Sequence, residues 1–276
     1  MMKPEISFFW IAVGCYGVSA FSYVIGLMAR KESLLNLGMA LSAVGLICHT
    51  ATVAIRWITG RVMPLIEISE TLSAGVLVAV LIFLIIQFSS GRLKATGVLV
   101  MPVCFILLGW AGSLMKDIGG TLPPSLQSQW LWVHIIGASI GFSGVLTAAA
   151  LGLLFLLKER NSGGVYEKIP GLETLDDLGY RFISGGFLML GVMLVSGSLW
   201  SNQVKGSYWN WDPVEVWSLI TWLTYGIYLH LRITFGWRYR RMAVYALGAL
   251  GIMIISYWGI PFVKENFHTG FRIEHK

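Results

Sequence analysis

Long apolar runs separated by short polar stretches recur along the whole chain. A bilayer core of ~30 Å needs about 20 mostly apolar residues per helix. Eight runs qualify, at approximately 7–28, 34–56, 71–89, 96–114, 133–157, 181–201, 216–236 and 242–263. Barrel strands would be about half as long and would alternate in polarity; these runs do not alternate. The pattern predicts an all-α fold, a polytopic transmembrane helical bundle of about eight spans. The spans occupy most of the 276 residues, so residues 1–276 read as a single integral-membrane domain with no large soluble part. The first run begins near residue 7 without a strongly basic leader and reads as a span, not a cleavable signal.

Composition agrees with this reading. Hydrophobic residues make up 56% of the chain and charged residues 12%, with a mean hydropathy of +0.71. A soluble domain is about 25% charged, so water-soluble, disordered, fibrous and disulfide-stapled secreted classes are excluded. The net charge of +6 would suit nucleic acid in a soluble protein, but in a membrane protein a Lys/Arg excess reports orientation. With the N-terminus on one side, the loops of the opposite side carry Arg30, Lys31, Arg92, Lys94, Lys158, Arg160, Lys168, Arg181, Arg232, Arg238, Arg240 and Arg241, or 12 of the 20 basic residues. That side balances to +6 and the other to zero. The basic side is expected to be cytoplasmic, both termini non-cytoplasmic, and no nucleic-acid partner is expected. Cys15, Cys48 and Cys104 all lie in apolar runs and no CxxC occurs, which argues against disulfide exchange and thiolate metal sites. Within the connector 158–180, the amphipathic stretch Leu172–Leu178 reads as a surface-lying link. No convincing internal repeat is present, which weighs against an inverted-repeat transporter.

Among the non-cytoplasmic segments, 57–70, 115–132 and 202–217, the last is the most unusual. It runs Gly206-Ser-Tyr-Trp-Asn-Trp-Asp-Pro-Val-Glu-Val-Trp217, followed by Trp222. Of 12 tryptophans, Trp200, Trp209, Trp211, Trp217 and Trp222 cluster here. An aromatic belt explains scattered interfacial Trp, and suffices for Trp57, Trp132 or Trp258. It does not explain Trp alternating around Asn and closing with Asp-Pro. Asp212 can cap the next helix, with Pro213 at its first position. That rigid start would hold Tyr208, Trp209, Trp211 and Trp217 as a platform for a flat amphipathic ligand, for which a porphyrin is the obvious candidate.

This string resembles the tryptophan-rich "WWD" signature of the CcsA/ResC-type cytochrome c biogenesis proteins. The resemblance extends to His49-Thr50 with Arg56-Trp57, Gly60, Pro64 and Glu70, to Leu175-Asp176 with Tyr180-Arg181, and to Tyr228-Leu-His-Leu-Arg232. Two positions depart from the family pattern: Lys205 stands where a Trp usually precedes Gly, and Val214 replaces the usual Lys. They leave the outer edge of the platform open. Asp-Pro-x-Glu separates the chain from the related CcmC and CcmF branches.

Five histidines are present. His134 starts the fifth span and His268 follows the eighth, on the same side as the tryptophan loop. Two such imidazoles could hold a haem iron above and below its ring; each could equally be an ordinary interfacial anchor. The resemblance implies that they are the external haem ligands. His230 lies about 14 residues into a span, ~21 Å down at 1.5 Å per residue. An ionisable group there is a functional candidate by default, the alternative being a neutral ring bonded to a neighbouring carbonyl. The resemblance implies an intramembrane haem ligand whose partner His comes from a ResB/CcsB-type companion subunit. His49 has a family match but no derivable role, and His275 reads as solvated. No helix carries two His at the spacing of a dihaem cytochrome b. Arg56 and Arg61 could pair haem propionates or snorkel at the membrane edge.

The expectation is a membrane subunit of a System II cytochrome c synthase. It would receive and export haem b and present it for thioether attachment to the CxxCH of an apocytochrome c, as the non-nucleophilic part of a haem lyase. The implied partners are the companion subunit, the apocytochrome and a thiol-reducing thioredoxin-like protein, in a plasma (inner) membrane with the active face periplasmic. A haem transporter, or a CcmC-like haem-to-chaperone transferase, is the alternative.

Overall fold

The computed structural model describes residues 3–60, 68–115 and 127–259. Among them every regular element is helical. The long helices are α1 (Pro4–Met28), α2 (Glu32–Gly60), α3 (Ile68–Ser89), α4 (Gly97–Ser113), α5 (Gln129–Arg160), α7 (Leu172–Lys205), α8 (Pro213–Ile233) and α9 (Arg240–Ile254). A 3₁₀ segment, Gly91–Thr96, precedes α4; a single turn, α6 (Val165–Lys168), lies between α5 and α7. The last helix passes directly into a π-helical turn, Ile255–Gly259. Half of the segment 57–70, including Arg61, most of 115–132, and everything after Gly259, including His268 and His275, lie outside the described residues.

Six stretches (α1, α2, α3, Gly91–Ser113, α5 and α7) are long and apolar enough to cross a membrane by length and composition alone. The chain is therefore a multi-pass membrane bundle. In the same bundle, α8 opens with a capped polar turn and closes on His230-Leu-Arg232, and α9 spans only 15 residues before the π turn. At 1.5 Å per residue, α5 and α7, with 32 and 34 residues, reach about 48 and 51 Å. Both outrun a ~30 Å hydrocarbon core. This corrects the reading of Leu172–Leu178 as a surface-lying link: the stretch is the first two turns of α7. Its apolar stripe continues the buried face, as Leu175, Gly179, Ile183, Gly186 and Leu190 show.

Successive long helices run antiparallel, and cross-helix bonds give the register. In the first half, Thr52 Oγ1 reaches the Glu5 carbonyl, Tyr16 meets His49, and Ser19 donates to Gly38. In the second, α5 and α7 approach closely enough that a Cβ on Gly137 would stand 3.1 Å from the Met189 carbonyl oxygen, and one on Gly144 3.2 Å from that of Phe182. Small residues at such spacing let membrane helices pack backbone to backbone, where lipid supplies no hydrophobic drive between them. One end of the bundle thus gathers the start of α1, the end of α2, the starts of α3 and α5, the end of α7 and the start of α8. We call it the tryptophan end.

Candidate functional site

The loop between α7 and α8 is pinned from both helices. Gly206 ends α7 in a left-handed conformation, its N–H donating to the Asn202 carbonyl at 2.8 Å. Ser198 Oγ donates to the Tyr208 carbonyl at 2.9 Å, and the Asn210 amide donates to Ser201 Oγ at 2.8 Å. From the other side, Glu215 Oε2 accepts the backbone N–H groups of Asn210 (2.8 Å) and Asp212 (3.3 Å). Asp212 Oδ1 also accepts from Val214 N at 2.8 Å, and Asp212 and Glu215 form a reciprocal capping box, with Pro213 in the first turn. A capping box satisfies two otherwise orphaned donors at a helix start.

Trp211 sits between the two amides that Glu215 holds. Its φ of 56° is left-handed, a conformation costing an L-residue roughly 1–2 kcal/mol, and the flanking carboxylate bonds offset that cost. The ring is 77% exposed. Trp209 meets it edge-on at 6.0 Å and 89°, Tyr208 is exposed, and Trp217 is half-buried in the first turns of α8. The other two tryptophans of the cluster belong to the packing. Trp222 stacks on Phe187 at 4.7 Å and 12°, its Nε1 donating to the Phe187 carbonyl at 3.2 Å. Trp200 is buried, its ring tilted against His134 at 6.4 Å.

His134 lies in the second turn of α5, partly buried, with Nδ1 2.9 Å from the Met193 carbonyl oxygen of α7. A carbonyl only accepts, so Nδ1 carries the proton and Nε2 holds a lone pair. Nε2 has no partner among the described residues. Ser198 and Ser201, the loop's anchors on α7, flank Trp200, so the loop and His134 share the last turns of one helix. His268, the proposed second ligand of that site, falls outside the described residues.

At the opposite end, His230 occupies the last turn of α8 and is exposed on the bundle surface. Its Nδ1 lies 3.2 Å from Thr234 Oγ1, and Phe235 meets the ring edge-on at 5.4 Å. The partner is thus a hydroxyl and not a neighbouring carbonyl. Two residues on, Arg232 turns inward and donates to Asp176 Oδ2 at 2.6 Å; both side chains are under 7% exposed. Asp176 Oδ1 accepts the Tyr239 backbone N–H at 2.9 Å, and the Arg232 guanidinium lies 5.1 Å above the Tyr180 ring centre. The two sequence motifs around Asp176 and Arg232 are therefore one buried ionic node that ties α7 to α8 and to the α8–α9 turn.

His49 is wholly buried between α1, α2 and α3. Its Nε2 lies 2.7 Å from Ser73 Oγ and its Nδ1 3.4 Å from Tyr16 Oη. Arg56 neither snorkels nor stands open for a propionate; it is buried and donates to Glu70 Oε1 at 2.7 Å. Among the described residues no group of three or more His, Cys, Asp or Glu side chains could hold a metal ion, and the three cysteines are free thiols.

Sequence reasoning missed Ser198, Ser201, Asn210 and Glu215 as supports of the loop. The Asp-x-x-Glu spacing of a capping box was a usable signal for Glu215. No local pattern announces the Met193 carbonyl, because every residue has one.

The family described as Cytochrome C assembly protein matches residues 7–268. A "Cytochrome c biogenesis protein CcsA" from Guillardia theta is 30% identical over 278 residues, covering 91% of each chain. Its counterpart from Synechococcus elongatus is 27% identical over 98% of this chain and 94% of its own. That from Chlamydomonas reinhardtii is 33% identical over 78% of this chain and 63% of its own. The solved structure titled "Cytochrome c Heme Lyase CcmF" superposes with a TM-score of 0.74 at 16% identity, covering 94% of this chain. This chain spans 47%, about half, of that longer one, and the likeness shows a shared helical fold. With the family matched over nearly the whole length, the chain belongs to the cytochrome c assembly family and is of the CcsA type.

Proposed function

We propose that this chain is a membrane subunit of a System II cytochrome c synthase, acting as one membrane-embedded unit. Its substrate haem, haem b, is received within the membrane and exported. It is then held at the tryptophan end for attachment to the CxxCH cysteines of an apocytochrome c. In this reading the tryptophan end is the non-cytoplasmic, periplasmic face of a plasma (inner) membrane and carries both termini. The Lys/Arg-rich loops are cytoplasmic, in line with the charge bias of membrane loops. The observation that carries the proposal is the pairing of a pinned aromatic loop with His134. Tyr208 and Trp211 are exposed on a backbone held by Glu215 and Asn210, and the adjoining imidazole has no partner at Nε2 among the described residues.

The donor set suits haem. A neutral imidazole with Nδ1 bound to a carbonyl is the usual state of a ligating histidine, and exposed indole and phenol faces suit a flat apolar ring. His268 is the second axial candidate. Tyr208, Trp209, Trp211 and Trp217 form the platform, held by Asp212. His230, facing out of the bundle, is the intramembrane ligand, its partner on a ResB/CcsB-type companion subunit. Each attachment joins a cysteine sulfur to the vinyl carbon next to the ring, and the thiol proton ends on the terminal vinyl carbon. The chain contributes position and exclusion of water, the nucleophile belonging to the apocytochrome. Its own thiols lie on helices α1, α2 and α4 with no CxxC among them, in line with thiol reduction by a separate thioredoxin-like protein.

The test is purification with the companion subunit followed by absorption spectroscopy. A Soret band lost in His134→Ala is the expected result; a wild-type complex without haem overturns the proposal. A pure haem transporter, or a CcmC-like transferase to a chaperone, is separated by reconstitution with apocytochrome. Thioether formation supports the synthase, and haem transfer without it supports the alternatives.

A further inference from the structure

Around His134 the structure carries more than an imidazole nitrogen without a partner among the described residues. Placing a Cβ on Gly197 would put it 2.7 Å from His134 Nδ1 and 3.0 Å from Cε1. The first distance is shorter than real Cβ atoms essentially ever show and the second is tight, so the ring stands where a side chain on α7 would be. One turn earlier on the same helix, Met193 is held on two sides. Its carbonyl takes the His134 Nδ1–H, together with Ser196 Oγ at 3.2 Å. Its sulfur accepts from Tyr257 Oη in the π-helical turn. π turns within helices recur at functional sites, and this one comprises Ile255–Gly259. The cleft for the ring exists because α5 and α7 touch backbone to backbone at Gly137, whose Cβ would lie 3.1 Å from Met193 N.

We propose that Gly197 and the Met193 carbonyl form a positioning device that fixes the tautomer and plane of His134, so that Nε2 is the nitrogen presented to the substrate. The inference rests on the reading of His134 as a haem ligand and names the residues that make it one. A carbonyl acceptor admits a single neutral tautomer, whereas a hydroxyl would admit both. A side chain at 197 would push the ring off the carbonyl, release the tautomer and turn the ring plane. Tyr257 steadies Met193 from the far side and links the π turn to the same contact.

Two measurements test this. The first uses the full chain without haem, with ¹⁵N-labelled histidine, in solid-state NMR, the His134 signals being those absent from His134→Gln. A protonated Nδ1 with an unprotonated Nε2 is expected; an Nε2–H tautomer overturns the proposal even if no Gly197 variant folds. The second compares haem spectra of the complex with the companion subunit. Gly197→Ala should lose the low-spin signature that the His134 site contributes. Gly185→Ala, on the same helix with open space around its Cβ position, should keep it. Loss of that signature in both variants marks a general effect of helix glycines and overturns the proposal. If Gly197→Ala keeps both the tautomer and the spectrum while His134→Ala changes the spectrum, the device is overturned and the ligand reading stands. If His134→Ala leaves the spectrum unaltered, the ligand reading fails and the tautomer result alone decides the device.

Discussion

His49, among α1, α2 and α3, and His134, between α5 and α7, both lie toward the tryptophan end, and their neighbours treat them differently. The His49 ring is wholly buried with both nitrogens facing hydroxyls, Ser73 at 2.7 Å and Tyr16 at 3.4 Å. The His134 ring surrenders one nitrogen to a carbonyl at 2.9 Å and keeps the other without a partner among the described residues. Hydroxyls donate or accept, so His49 is satisfied in either tautomer and serves as a cross-link of a polar seam. That seam continues through Ser19, Ser42 and the Arg56–Glu70 pair. A carbonyl accepts only, so His134 is held in one tautomer with a lone pair to spare. Depth in the bundle does not separate the two histidines; the chemistry of their hydrogen-bond partners does.

Four substitutions would break or sharpen that contrast. The largest effect is expected from His134→Ala. It should abolish assembly of c-type cytochromes in cells relying on this chain, read by haem-stained gels, and normal assembly would erase the distinction. Next is Arg56→Met, which removes the guanidinium from beside the Glu70 carboxylate, a group 12% exposed. Breaking a buried pair from one side costs about 3–5 kcal/mol, visible as a lower thermal midpoint in detergent. Arg56→Met with Glu70→Leu should recover most of the loss, and a double variant as unstable as the single would contradict the pairing. His49→Leu deprives Ser73 and Tyr16 of their shared partner, at a cost of about 1–3 kcal/mol for unsatisfied buried groups. Stability should fall while the haem spectrum of the surviving complex stays as in wild type; a changed spectrum would move His49 into the site. The smallest effect is expected from Asp212→Ala. Losing an N-cap costs typically ~1 kcal/mol, and the variant should lower cytochrome assembly partially through a looser Trp211. An unchanged level of assembly would mean that Glu215 and Asn210 hold the loop without the cap.

Much of the fold was legible because lipid imposes a simple rule: each crossing needs an apolar run, and each backbone group must be bonded inside its own helix. The boundaries were less legible. Residues Leu172–Leu178 are polar enough to read as a link at the membrane surface. In the structure they are helical because their apolar stripe, through Leu175 and Gly179, continues onto the buried face of α7. Arg56 illustrates the same limit. A basic residue near a span end suggests snorkelling until Glu70, fourteen residues away on the next helix, is found beside it. The tryptophan string was conspicuous, yet composition alone grouped Trp200 and Trp222 with Trp209 and Trp211. Helical phase separates them: Trp222 stacks on Phe187 and Trp200 lies against His134.

What the sequence by itself determined is the kind of molecule, its helices in order, the capped start of α8 and the residue types available for chemistry. All of these follow from properties read along a few consecutive residues. Only the tertiary structure decided which polar groups meet. Tyr16 and His49, 33 residues apart, Arg232 and Asp176, 56 apart, and His134 and Met193, 59 apart, are joined by helix packing alone. Packing follows from where glycines allow two backbones to touch and which face of each helix turns inward, and a bonded carbonyl leaves no mark in the sequence.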